Sequence, residues 1–169
     1  MANTIIAVCA LVVAVYSIYA TIRHNKLSVT PKLVRKTHRN RQDKGIVVTF
    51  DLSNHGLGPA RIVGCDFFLK GKPFSARYDP VEALIKAGLE GKVSYQIVSQ
   101  GFPGRDYCLL VGENFRVAEI FLPGAKQSDE ERLNEIFGRM NFRVEYESLY
   151  GVRYFLDTRD SPLKKIYNK

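Results

Sequence analysis

The first 22 residues contain no Asp, Glu, Lys, Arg or His. From Ile5 to Ile22 the chain reads IIAVCALVVAVYSIYATI, with only Ser17, Thr21 and the amphipathic Tyr16 and Tyr19 as polar interruptions. Counted from Ala2 this gives about 20 residues, which at roughly 1.5 Å rise each span about 30 Å of hydrocarbon. The core helix of a soluble protein is seldom apolar on every face at a chain terminus. A cleaved signal peptide would carry Lys or Arg before the apolar run and a clear A-x-A site after it, and the sequence shows neither. Cys9 lies inside the run with no charged region before it, which argues against a lipoprotein signal. Residues 1–22 are therefore predicted to form one transmembrane helix, with the lipid bilayer as the first partner.

Charge is distributed unevenly behind that segment. The 169-residue chain has a formal charge of +8, from 25 Lys+Arg against 17 Asp+Glu. Residues 23–44 hold Arg23, Lys26, Lys32, Arg35, Lys36, Arg39, Arg41 and Lys44 against the single anion Asp43, so residues 45–169 are nearly neutral. A general nucleic-acid-binding domain would spread its cations over a folded face, so this pattern argues against one. Cationic flanks stay on the cytoplasmic side, which predicts an outside N-terminus and a cytoplasmic body, with a periplasmic body as the alternative. Arg23, Lys26, Lys32, Arg35, Lys36, Arg39 and Arg41 are thus candidate topology residues. Each would gain about 1 kcal/mol close to anionic lipid head groups. Three Cys, an odd number, offer neither a disulfide framework nor paired metal-ligand spacing.

Beyond Pro31 the period changes from helix to strand. Residues 32–40 suit an edge strand blunted by charge. Ile46, Val48, Phe50 and Leu52 alternate with more polar neighbours, which predicts a strand buried on one face. Asn54-His55-Gly56-Leu57-Gly58-Pro59-Ala60 then makes a structural turn, with Asn54, Gly56 and Gly58 expected to supply positive φ and Pro59 to fix the exit. A second strand is expected to bury Val63, Cys65, Phe67 and Leu69. Asp79-Pro80-Val81-Glu82 and Ser128-Asp129-Glu130-Glu131 both carry helix-start signals. Apolar stripes follow each, at Val81, Leu84, Ile85 and Leu89, and at Leu133, Ile136, Phe137 and Met140. Strand-like segments cover 93–99, 107–111 and 115–122, and a last hairpin turns at Tyr150-Gly151. The predicted class is mainly β: an immunoglobulin-like antiparallel sandwich over 45–169 with one or two short helices, joined by a basic segment 23–44 to the membrane helix.

Three stretches carry a resemblance. His24-Asn25-Lys26-Leu27-Ser28-Val29-Thr30-Pro31 after the apolar helix, together with Asn54-His55-Gly56-Leu57-Gly58-Pro59-Ala60 between two strands, resembles a group of uncharacterised bacterial single-pass membrane proteins. Tyr146-Glu147-Ser148-Leu149-Tyr150-Gly151 is similar to the late hairpin of that group. The resemblance implies architecture and placement in a bacterial inner membrane, and no activity.

A catalytic constellation is not evident. His24 and His38 sit among cations, and His55 is only two residues from Ser53, which gives no triad geometry. The Gly56 and Gly58 pair leads into a strand, whereas a phosphate loop needs a helix N-terminus. Cys65 and Cys108 are expected to be small core hydrophobes. In an oxidising compartment, a Cys65–Cys108 bridge between sheets is the alternative. Glu145, Glu147 and Asp157 are expected to pair with Arg143 and Arg153 on a solvated face. No enzyme activity, metal or cofactor is assigned. Two functions of different class stand. One is a membrane-tethered binding or scaffolding module presenting its sandwich to a protein partner; the other is a basic segment 23–44 that grips anionic lipid or nucleic acid. Ala7, Ala10 and Ala14 place small residues at helix-packing spacing, a weak signal for a homo-oligomer.

Overall fold

A computed structural model describes residues 2–159. Helix α1 (Ala2–Ser28) is 27 residues long, with none of its residues buried against the rest of the chain. Its length and composition suit a membrane crossing. Ser17 and Thr21 donate their hydroxyls to the carbonyls of Val13 and Ser17, both at 2.8 Å, so neither presents an unpaired donor to hydrocarbon. The helix continues six residues past the expected end at Ile22. Ser28 and Thr30 hydroxyls satisfy the carbonyls of Asn25 and Lys26, and Pro31, whose ring disfavours helix at the residue before it, marks the stop.

The remainder forms two antiparallel sheets. The first has the order β1 (Leu33–Gln42), β2 (Gly45–Asn54), β7 (Asn114–Pro123), β5 (Gln96–Gln100). The second runs β4 (Lys72–Phe74), β3 (Ala60–Leu69), β8 (Met140–Glu147), β9 (Arg153–Asp157), with β6 (Cys108–Leu109) paired to the start of β3. Inward side chains of both sheets share one core, with Ile46, Val48, Leu52, Ile120 and Leu122 from the first and Ile62, Phe67, Phe142 and Val144 from the second. Burying each such side chain contributes on the order of 1.5–3 kcal/mol relative to exposure.

Two short helices complete that core. Helix α2 (Pro80–Leu89) starts as expected, with Asp79 Oδ1 accepting from the Glu82 amide at 3.0 Å, and its stripe Val81, Leu84, Ile85 and Leu89 is buried. Helix α3 (Glu130–Gly138) begins after a 3-10 turn at Gln127–Asp129, and Asp129, not Ser128, is its cap residue. Leu133, Ile136 and Phe137 are buried, and Phe137 meets Phe50 edge-on at 5.2 Å between centroids. Met140 lies outside the helix and opens β8.

Strand β3 corrects the expected inward set. A register irregularity between Ile62 and Gly64 places Ile62, at 1% exposure, in the core in place of Val63. A bulge shifts the alternation by one, so Phe67 returns to the inner face beyond it. Cys108 is exposed, contrary to the core role expected of it. It pairs in register with Arg61, four residues along the same strand from Cys65. At about 3.3 Å per residue that separation exceeds the ~7 Å a disulfide tolerates between Cα atoms, and the two cysteines belong to one sheet. Both thiols are free.

Candidate functional site

The hydrogen-bonded register gathers the strand ends at Leu33, Asn54, Ala60, Asn114, Glu147 and Arg153 at one end of the sandwich. Helix α1 ends against that same end. Asn54, 0% exposed, organises the junction with both ends of its side-chain amide. Its Oδ1 accepts from the Lys32 amide at 3.2 Å and from the Gly56 amide at 2.9 Å. Its Nδ2 donates to the Gly58 carbonyl at 2.8 Å and the Leu109 carbonyl at 3.0 Å. Backbone bonds run alongside, from His55 N–H to the Lys32 carbonyl at 2.8 Å and from Leu57 N–H to the Thr30 carbonyl at 2.9 Å. The chain leaving the helix is therefore zipped to the β2–β3 turn through Thr30 and Lys32.

Gly56 and Gly58 serve this junction in a way that differs from the expectation. Neither has positive φ. A Cβ on Gly56 would run into Pro31 and the Thr30 carbonyl, and one on Gly58 would run into the backbone of Val29. The glycines are required for close approach of two backbones, not for a left-handed turn. Pro59 is half-buried and leads into β3 at Ala60. The two stretches singled out above, 24–31 and 54–60, thus meet as two halves of one contact.

No protein-family model matches the chain, and no curated protein matches it.

Neighbouring loops tie into the same junction. The Gly112 amide donates to the Asn54 carbonyl at 2.9 Å, and the Leu33 amide to the Tyr146 hydroxyl at 3.4 Å. Burial raises the Tyr146 phenol pKa above its ordinary value, while that bond to Leu33 works in the other direction. Arg61 bridges Asp106 at 2.9 Å and Glu147, linking the β3 start to the loop before β6 and to the end of β8. Glu113 accepts from the Leu110 amide at 2.7 Å and from the Tyr107 hydroxyl at 2.7 Å; these bonds hold its carboxyl below the usual glutamate range, the backbone bond foremost.

The seven candidate surface cations do not form one patch. Arg23 and Lys26 are exposed on α1, and Lys32 is exposed at its exit. Strand β1 divides the others between its two faces. Arg35, Arg39 and Arg41 stand opposite Leu52, Val48 and Ile46 and so share the inner face with them. Arg39 reaches Asn134 and Arg41 reaches Glu130, both on α3. Burial lowers the pKa of Arg35 and of Arg39, the latter partly offset by Glu130. Lys36 lies on the outer face, as does His38, whose Nε2 is 3.9 Å from Asp51. Ser53 gives its hydroxyl to Asn114, so it is not paired with His55. On the last hairpin Arg153 meets Glu145 at 3.1 Å, whereas Glu147 and Asp157 pair with Arg61 and Arg159 instead. Among the described residues no three His, Cys, Asp or Glu side chains gather as a metal site.

Sequence reading treated Asn54 as a turn former and missed its part in holding the helix exit. The available signal was the joint presence of the 24–31 and 54–60 stretches, since a turn alone needs neither a buried Asn nor two ordinary-φ glycines.

Proposed function

We propose that the chain is a single-pass membrane-anchored binding or scaffolding protein. In this reading an immunoglobulin-like sandwich is held at the inner face of a bacterial membrane and presented to a protein partner. The observation that carries this reading is the Asn54 junction. A tether that merely kept the domain near a membrane would need a flexible linker. Here the linker residues Thr30 and Lys32 are hydrogen-bonded into the sandwich, which favours a fixed stance over a loose leash. The cytoplasmic side is supported by Arg23, Lys26 and Lys32 at the helix exit. With one end turned to the bilayer, the opposite end, with its hairpins at 43–44 and 70–71, and the sheet edges remain to meet a partner.

The alternative, a segment 23–44 gripping anionic lipid or nucleic acid, has less support. Arg35, Arg39 and Arg41 face inward, and β1 carries Arg41 about 26 Å along the strand from Leu33 at ~3.3 Å per residue. Head-group fields decay over about 8–10 Å.

Photo-crosslinking residues at Lys44 and Lys70 in the full chain in native membranes test the proposal. A discrete protein adduct is expected from at least one position, weakened when Gly58→Val disturbs the junction in a chain that still inserts and folds. Adducts to lipid alone, from a folded and inserted chain, would contradict it.

A further inference from the structure

Three loops at the helix-exit end carry large apolar side chains in the open. These are Leu57 in the β2–β3 turn at 71% exposure, Leu110 at 59% and Val111 in the β6–β7 loop, and Leu149 at 68%, Tyr150 and Val152 in the β8–β9 turn. The other large exposed apolar residues of the described sandwich include Tyr78 in the β4–α2 loop, Val98 on β5 and Phe155 on β9, which lie apart in the chain. Exposed apolar side chains scattered singly need no explanation, but a set confined to one end of a domain marks a contact surface. The three loops are also held as a unit: Asn54 bonds to the Gly112 amide and Leu109 carbonyl, and Arg61 to Asp106 and Glu147. The Ser148 amide donates to the Val152 carbonyl at 2.9 Å, closing the last loop on itself.

Chain length sets the depth of this end. The uninterrupted apolar run stops at Ile22, and the helix continues through Arg23–Ser28, with Leu27 as its one large apolar side chain, before Val29 and Thr30 meet the β2–β3 turn. Six residues at about 1.5 Å rise amount to about 9 Å, and each head-group layer is about 5–8 Å thick. The junction therefore falls at the outer boundary of the head groups, with Leu57 in the turn that contacts the helix exit. Tyr150 suits such a boundary, where an amphipathic ring keeps its hydroxyl wet. Exposed Lys26, Lys32 and Arg105 at the same end can meet lipid phosphates.

We propose that the 55–59, 110–113 and 148–152 loops rest against the outer side of the head-group layer of the bilayer that α1 crosses, with their apolar side chains reaching into it, so that the sandwich makes a second, peripheral membrane contact beside its anchor. This rests on the membrane-anchor reading and adds a lipid-facing surface to it. The occupant is the bilayer because the surface is continuous with the helix that enters it.

The test uses the native full chain in lipid nanodiscs with isotopically labelled Leu and Val methyl groups. Line broadening is read from a head-group nitroxide lipid and from a water-soluble gadolinium chelate. Methyl groups of Leu57, Leu110, Val111, Leu149 and Val152 are expected to broaden several-fold more with the lipid nitroxide than Val98, and several-fold less with the chelate. Val13 on α1, read with a nitroxide placed in the acyl chain, reports on the anchor itself. Loop methyl groups that follow Val98 while Val13 responds to lipid would overturn the proposal and leave the anchor standing. Loop methyl groups shielded from both agents would mean that protein, such as a second copy of the chain, covers the surface, and would overturn it too. A Val13 signal untouched by lipid would remove the anchor and this proposal together.

Discussion

Asn54 makes four hydrogen bonds to backbone groups of three different segments, and it does so with no solvent exposure. Each buried group left without its partner costs about 1–3 kcal/mol. Asn54→Ala is expected to destabilise the sandwich by about 3 kcal/mol, read by denaturant unfolding of the full chain in detergent. Gly58→Ala, which sets a Cβ against Val29, should increase protease cleavage around 29–32, while Gly64→Ala, with nothing within 4 Å, should not. Glu113 adds a pH signature. Its carboxylate is favoured in the folded loop, so its contribution is present above the unfolded glutamate pKa of about 4.3 and fades as acidification protonates it below that point. The Leu110 amide shift should titrate with a midpoint under about 4.3 and lose that titration in Glu113→Gln. A midpoint at or above that value would contradict the bonding described. At this scale the sequence showed that 54–60 is a turn. Which distant backbone passes over Gly56 and Gly58 is a tertiary fact, invisible to a local rule that links glycine to positive φ.

At the scale of elements, legibility followed periodicity. The alternation in β2 and β8 and the stripes of α2 and α3 were readable because one face of each is apolar and buried while the other is more polar, even where, as at Asp51 and Ser53 of β2, the polar face is covered too. Strand β3 was misassigned at Val63 because one extra residue in a bulge inverts the faces without any change in composition. Residues 32–40 suit an edge strand and β1 is one, but no apolar alternation marks its two faces, so which of its cations point inward is not legible in the sequence. Arg35, Arg39 and Arg41 occupy inward positions of β1, where α3 supplies Asn134 and Glu130 as partners for Arg39 and Arg41. The Arg39 Nε is buried without a hydrogen bond. The hydrogen-bond partner of Arg39 is the neutral Asn134, and Glu130 keeps Arg41, so an apolar side chain of similar length at position 39 strands no buried charge and removes the cost of desolvating the guanidinium. Arg39→Met should therefore keep stability within about 1 kcal/mol of the parent or raise it. A loss of about 3 kcal/mol or more on denaturant unfolding would show that the guanidinium is essential to the packing of α3 on β1.

For the whole molecule, the apolar helix, the junction and the sandwich form one continuous path of hydrogen bonds from Leu27 to the sheets. An apolar span was legible in the first 22 residues; that the domain is fastened directly to it was not, because the fastening depends on two stretches more than 20 residues apart in sequence. The chain carries its own reporter of sidedness. Cys108 is exposed, Cys65 is partly covered with its thiol pKa pushed up by burial and then by Asp66, and Cys9 lies within the apolar span. The central claim is that α1 crosses the bilayer and holds the sandwich on the inner side. A membrane-impermeant maleimide applied to right-side-out and to inside-out vesicles, with Cys108→Ser as the blank, tests this most directly. The account predicts labelling of Cys108 only in inside-out vesicles; labelling of Cys108 in sealed right-side-out vesicles would contradict it.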